Sequence, residues 1–415
     1  MKNNFIFSLG FILVLSTQAH AALNLELDMT SQEYRNIFDA LEKKHVRIKN
    51  HEDPLVAIVE LGKRNIDWVN VINQSRDLEH QLHLTLQETG SSIPIDKPSY
   101  SSPAIILNNL ENFKQEMPGS MRDIIFDNGP LPNITPVDDE IFLQYARKLD
   151  RIYKAASRWL LQEPYLKDYI SYSYRDIRGY YFLHKEIDLQ NKLKNWDNLN
   201  EDTKNIFSEW LLGECHNSRA SAENCKAEFD KAIQFHDIFN FHAKYEIIAK
   251  QVYDAFFEIQ NPRPEVVWNN KQPDIMPMPF TSPLHQDVLN WFKTNVEDEY
   301  RFANWSLKID FQSKPNLAKV IFEPGVTPHV DKIGGDVIYM DANRPLNEFA
   351  STWTIRHEFG HVLGFPDCYV EFYDSQKKVM VSYYIDTTNL MCARGGHLQE
   401  QHYEQLKKYY WRKIS

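Results

Sequence analysis

Long apolar runs are scarce in this chain of 415 residues. The run near the start covers residues 5–15, short of the roughly 20 residues a helix needs to cross a bilayer, and no later segment stays apolar long enough either. Basic charge is in deficit: 46 Lys and Arg against 57 Asp and Glu leave a net charge of −11. A chain of that sign lacks the field that attracts nucleic-acid phosphates or anionic membranes. Glycine (14) and proline (20) are too few for a collagen-like or low-complexity chain. Only four cysteines occur, with no Cys-x-x-Cys pair among them, which argues against a tetrathiolate zinc site. What is present is a hydrophobic content of 43% with 13% aromatics, enough to fill a large core. The length allows two or three domains.

The chain opens Met1-Lys2-Asn3-Asn4, continues with the apolar run, and reaches Ala19-His20-Ala21. A charged start, a short apolar core and a small-x-small site describe a secretory signal peptide over residues 1–21. Export to the periplasm or the medium follows, with no membrane span in the mature form. Cys215, Cys225, Cys368 and Cys392 then enter an oxidising compartment. Three pairings are open to four thiols; Cys215–Cys225 and Cys368–Cys392 are favoured because each closes a local loop.

Residues 22–260 read as mainly helical. Thr30 with Glu33 forms a capping-box pattern, and Tyr34, Ile37, Phe38 and Leu41 then share one helical stripe. Tyr245, Ile248, Val252 and Phe256 repeat that period, while residues 91–103 read as a loop. Six prolines between 261 and 283 predict an extended connector. Beyond it the pattern becomes that of a small α+β domain over 284–415. A helix is expected near 285–302, strands at 305–312, 318–323 and 336–341, and helices at 347–365 and 398–413. Alternating Val379, Val381 and Tyr383 suggest a hairpin.

On the 347–365 helix stands His357-Glu358-Phe359-Gly360-His361. Histidines four apart lie one turn apart on a single face, so both rings can reach one metal ion. Glu358 beside them can approach a water without ligating. A catalytic zinc takes three protein ligands and keeps one position open, so a third ligand is needed. Gly364 can end the helix in the left-handed conformation and Pro366 discourages its continuation; the resulting turn would bring Asp367 back toward the rings. The complete string is His-Glu-x-x-His-x-x-Gly-x-x-Asp.

This string resembles that of the metzincin metalloproteases, in particular the secreted snapalysin-like group, in which aspartate is the third ligand. Asn389-Leu390-Met391 falls where that family has its Met-turn, Tyr369 follows the aspartate by two, and Gly335-Asp336-Val337-Ile338-Tyr339-Met340-Asp341 matches the strand before the active-site helix. The likeness covers about the last third of the chain. It implies a zinc endopeptidase, with His357, His361 and Asp367 as zinc ligands, Glu358 as general base, Tyr369 assisting at the oxyanion, and Met391 and Gly364 in structural roles. A protein or peptide would be the substrate, lying extended along a sheet edge. Cys368–Cys392 would tie the Asp367 loop to Met391. The rival reading is an exported binding or adhesion protein with a structural zinc. For residues 22–260 both a removed pro-region and a retained accessory domain stay open.

Overall fold

The computed structural model describes residues 25–43, 53–84, 93–126, 129–314 and 316–413. The expected signal segment 1–21 lies outside them. The first helix, Ser31–Lys43, begins with the capping box its spacing predicts. The Thr30 N–H donates to Glu33 Oε2 at 2.6 Å, and the Glu33 N–H donates to Thr30 Oγ1 at 3.3 Å. Its stripe buries Tyr34 and Phe38 against the long pair Pro54–Asn73 and Asp139–Gln162. Both members of that pair start at an aspartate, Asp53 and Asp138, whose side chains accept from the N–H groups of Leu55 and Glu140. Trp68 meets Phe142 edge-on between them, with centroids 4.9 Å apart.

A second helical group comprises Arg178–Lys185, Glu201–Asn217, Ala222–Gln234 and Ile238–Asp254. Leu183, Leu211, Phe229 and Phe241 form its core. The expected Cys215–Cys225 disulfide joins its two middle helices.

After residue 283 the order of elements follows the pattern in the sequence, giving an α+β architecture. Helix Gln286–Glu299 precedes strands Trp305–Gln312, Lys319–Glu323 and Val337–Asp341. The long helix spans Phe349–Val362, shorter at both ends than the 347–365 expected, and the last spans Glu400–Tyr410. Lys319–Glu323 runs parallel to Val337–Asp341, whose other side carries the short antiparallel strand His329–Val330 at the sheet edge. Phe359 anchors the Phe349–Val362 helix by ring contacts with Phe280, Phe292 and Tyr300. The suggested hairpin is present as Tyr369–Asp374 paired with Val379–Tyr384. No helix among the described residues is long and apolar enough to cross a membrane.

Two expectations about organisation need correction. The Pro-rich stretch 261–283 is not a free connector: it holds strands Trp268–Asn269 and Ile275–Thr281. The second pairs in parallel with Trp305–Gln312, and its Met276, Met278 and Phe280 are fully buried. Prolines are tolerated there because N–H groups two residues apart point to the same side. The Thr281 N–H turns to the Ala318 carbonyl, away from Trp305–Gln312, so Pro277 and Pro279 lack donors only on that outer side. Nor does residue 260 end a core. Ile95, Ile177, Phe256 and Ile259 pack into the same cluster as Trp268, Ile355, Phe359 and Leu363. Strand Ser99–Ser101, inside the expected 91–103 loop, adds a third strand to the hairpin. At the far end Trp411–Arg412 pairs with Trp268–Asn269.

Candidate metal centre

The helix Phe349–Val362 carries little amphipathic pattern because it is buried on most sides, including Thr354, His357, Glu358 and His361. It ends where the sequence demands. Gly364 has φ +92°, the Gly364 N–H donates to the His361 carbonyl and the Phe365 N–H to the Gly360 carbonyl, both at 3.0 Å. These are the two bonds of a Schellman cap. A side chain at 364 would in addition meet the Gln260 carbonyl at 2.3 Å.

The turn sends Asp367 back toward the helix. Asp367 Oδ1 lies 3.2 Å from His357 Nε2 and 3.3 Å from His361 Nε2, and the two Nε2 atoms are 3.1 Å apart. Each ring is oriented from its far side: His357 Nδ1 bonds the Leu390 carbonyl and His361 Nδ1 the Phe365 carbonyl, both at 2.8 Å. A carbonyl only accepts, so Nδ1 holds the ring proton and Nε2 presents a lone pair in the neutral imidazole. Two lone pairs and a carboxylate therefore converge, and Asp367 Oδ1 has no hydrogen-bond donor of its own. Ligands at about 2.0 Å around a tetrahedral ion stand about 3.3 Å apart. The observed triangle has that edge.

The electrostatics agree with a place for positive charge. Burial works against a charged ring at His357. The Asp367 carboxylate set against the ring, the Glu26 charge and the Leu390 carbonyl outweigh it and push its pKa up to about 9. Burial likewise opposes ionisation of Asp367, yet His361 and His357 pull it well below the carboxylate range. Glu358 moves the other way: burial first, and then the neighbouring Glu26 charge, hold its pKa well above normal.

Met391 packs against the helix at Gly360. A Cβ on Gly360 would come within 2.2 Å of Met391 Sδ, so glycine in the motif is what lets the methionine approach. The turn around it is tightly held. Asn389 Oδ1 accepts from the Met391 N–H at 2.8 Å and bonds His402 Nε2 at 3.0 Å. The Cys368 N–H donates to the Met391 carbonyl at 3.0 Å, and the Cys368–Cys392 disulfide joins the Asp367 loop to this turn. Tyr369 is buried, with a hydroxyl that finds no partner.

A cavity of about 940 Å³ opens over these groups. Glu358, His361, Asp367 and Tyr369 lie on its floor, the edge segment at His329 and Val330 forms one wall, and Ile248, Val252 and Phe256 of the helical region form another. Elsewhere in this part of the chain, His329 lines the cavity, whereas His397 packs on Trp353 and His402 is buried behind the turn.

Three charged residues at the centre have no signature in the sequence. Glu26 places a carboxylate oxygen within 4.8 Å of donor atoms of both His357 and Glu358. Arg394 holds it through Nε at 2.5 Å and also pairs with Glu33 at 2.8 Å. Arg158 donates to the carbonyls of Leu25 and Glu26 and forms a two-pronged pair with Glu371, each bond 2.7 Å. Only their charge in otherwise apolar surroundings could have drawn notice, and no local spacing links them. Comparisons with protein-family models, with curated proteins and with solved structures return no match.

Proposed function

We propose that this chain is an exported zinc-dependent endopeptidase of the snapalysin-like metzincin type. The carrying observation is the triangle of His357 Nε2, His361 Nε2 and Asp367 Oδ1, with edges of 3.1 to 3.3 Å. Its donor set of two neutral imidazoles and one carboxylate suits zinc and leaves one position free for chemistry. Bound there, zinc supplies Lewis-acid activation of a water and of the scissile carbonyl.

The chain's own groups do the rest. The Leu390 and Phe365 carbonyls fix the tautomer and direction of both rings. Glu358 takes a proton from the attacking water and returns it to the leaving amine. Its environment, buried and beside another carboxylate, favours a group that holds a proton between those two events. The unpartnered Tyr369 hydroxyl donates toward the carbonyl oxygen as negative charge develops there. The wall at His329 and Val330 is the free side of an antiparallel edge strand, suited to pairing with an extended peptide.

A structural zinc in a binding protein is the poorer fit, because such sites are closed by four protein ligands and this one offers three around a cavity. Purified protein is expected to carry about one zinc per chain and to cleave casein. Chelator should abolish cleavage and zinc restore it. Glu358→Gln retaining full activity, or zinc bound with no hydrolysis of any unfolded protein, would reject the assignment.

A further inference from the structure

The mechanism above leaves the Glu26 carboxylate without a task, although it is largely enclosed and lines the cavity beside His357 and Glu358. It comes from a strap, residues 25–30, that precedes the first helix and reaches the floor of the cavity, which Leu25 and Glu26 both line. The strap is firmly held. Arg394 grips the Glu26 side chain and its backbone N–H donates to Asp28 Oδ2 at 2.8 Å, and Arg158 donates to the Leu25 and Glu26 carbonyls. Displacing it would leave Arg394 charged and short of partners in the interior, which is strongly unfavourable. The strap therefore belongs to the working site and is not a loosely laid lid.

An attacking water has two O–H groups and two lone pairs. One lone pair would be taken by a metal held at His357, His361 and Asp367, and attack needs the other aimed at the carbonyl carbon. Both O–H groups must then be held by acceptors. Glu358 is one. The second carboxylate that meets both His357 and Glu358 within 4.8 Å is Glu26, and a carboxylate that already accepts from Arg394 has acceptor capacity to spare. We propose that Glu26 is the second acceptor of the attacking water and aims it at the substrate. As the C–O bond forms, one proton passes to Glu358 and then to the leaving nitrogen while the C–N bond breaks. The hydrogen held by Glu26 stays on the oxygen and leaves with the new carboxylic acid, which ionises in solvent.

This inference rests on the zinc-peptidase reading, and the test separates the two. In the zinc-loaded full chain, Glu26→Gln keeps an oxygen for Arg394 but offers an N–H₂ where an acceptor is required. The expected result on a fluorogenic peptide is a loss of about 100-fold in kcat with KM nearly unchanged. Zinc affinity, read by competition with a chromogenic chelator, should stay within about threefold. Glu26→Asp, which keeps the charge but shortens the reach, should recover part of kcat and serves alone if the glutamine variant does not fold. An unchanged kcat would overturn the proposal. So would a rise in activity, which would make the strap a plug, or a large loss of zinc affinity, which would make Glu26 a ligand. If the wild-type chain itself holds no zinc and cleaves nothing, the parent reading fails and carries this one with it.

Discussion

Acid should loosen the turn beneath the metal centre before it touches the rest of the fold, and His402 is the reason. Its ring packs edge-on against Phe365, with centroids 5.2 Å apart, and is almost wholly buried. The Gln399 N–H donates to His402 Nδ1 at 2.9 Å, so Nδ1 is an acceptor, and Nε2–H donates to Asn389 Oδ1 at 3.0 Å. Protonation at Nδ1 would abolish the first bond and set two donors face to face. Burial, only partly offset by the Gln399 backbone contact and the Asp386 charge, pushes the His402 pKa down to about 4. The ring titrates near 6.5 in the unfolded chain, so between those values the unfolded state binds the extra proton and the folded state does not. Stability is fully present above pH 6.5, is lost progressively as pH falls toward 4, and changes no further from this source below that. A gap of about 2.5 units corresponds to roughly 3 kcal/mol. Urea unfolding at pH 7 and pH 4.5 measures it directly when wild type is compared with His402→Gln, whose amide can serve both partners without titrating. The variant should lose less stability on acidification by about 2 kcal/mol or more. Equal losses in the two proteins would refute the reasoning.

Gly360→Ala should destabilise the chain by about 1–3 kcal/mol and lower zinc content together, because the new methyl drives into Met391 Sδ; a variant with wild-type melting and full zinc would contradict this. Replacing both Cys368 and Cys392 by serine removes a bridge across 24 residues and should cost about 3 kcal/mol in urea unfolding, with zinc affinity falling as Asp367 gains freedom. A chain starting at residue 284 should fail to fold, since it lacks the buried Met276, Met278 and Phe280; a cooperative thermal transition in that fragment would refute this and favour the pro-region reading over the retained domain. Arg158→Leu should cost about 3–5 kcal/mol by leaving Glu371 buried and unpaired, and a neutral effect on urea unfolding would mean the pair is solvated.

What could be read from the sequence was local. Thr30 and Glu33 specify a helix start within four residues, and the interval from His357 to Asp367 encodes a turn of helix, a glycine cap and a returning carboxylate. The geometry found for both follows from bonds among neighbours in the chain. The Pro-rich stretch misled because proline counts register lost donors, whereas the effect of proline depends on which side of a strand the donor would face. The direction of the Thr281 N–H decides that, and it is set by Ala318, far along the chain. Domain limits failed for a related reason. A change from helical to strand periodicity marks where local structure changes, but not where burial ends, and Phe256 and Ile259 cross that line into the C-terminal core.

Glu26 illustrates the same limit at the site itself. Its sequence neighbours Leu25, Leu27 and Asp28 give it no motif, and its meaning arises only when Arg394, more than 360 residues later, draws it beside Glu358. The arginine follows Met391 by three positions, so the turn that supports the metal ligands from below also fastens the strap that reaches them from the side. One short segment, residues 389–394, thus sets the direction of His357 through the Leu390 carbonyl, the footing of the helix through Met391 and the position of Glu26 through Arg394. Because His402 braces that segment through Asn389, acid should act on all three at once. Loss of zinc and loss of activity on acidification should follow one curve in wild type, and both should shift to lower pH in His402→Gln. Two separate curves would mean the segment does not move as a unit.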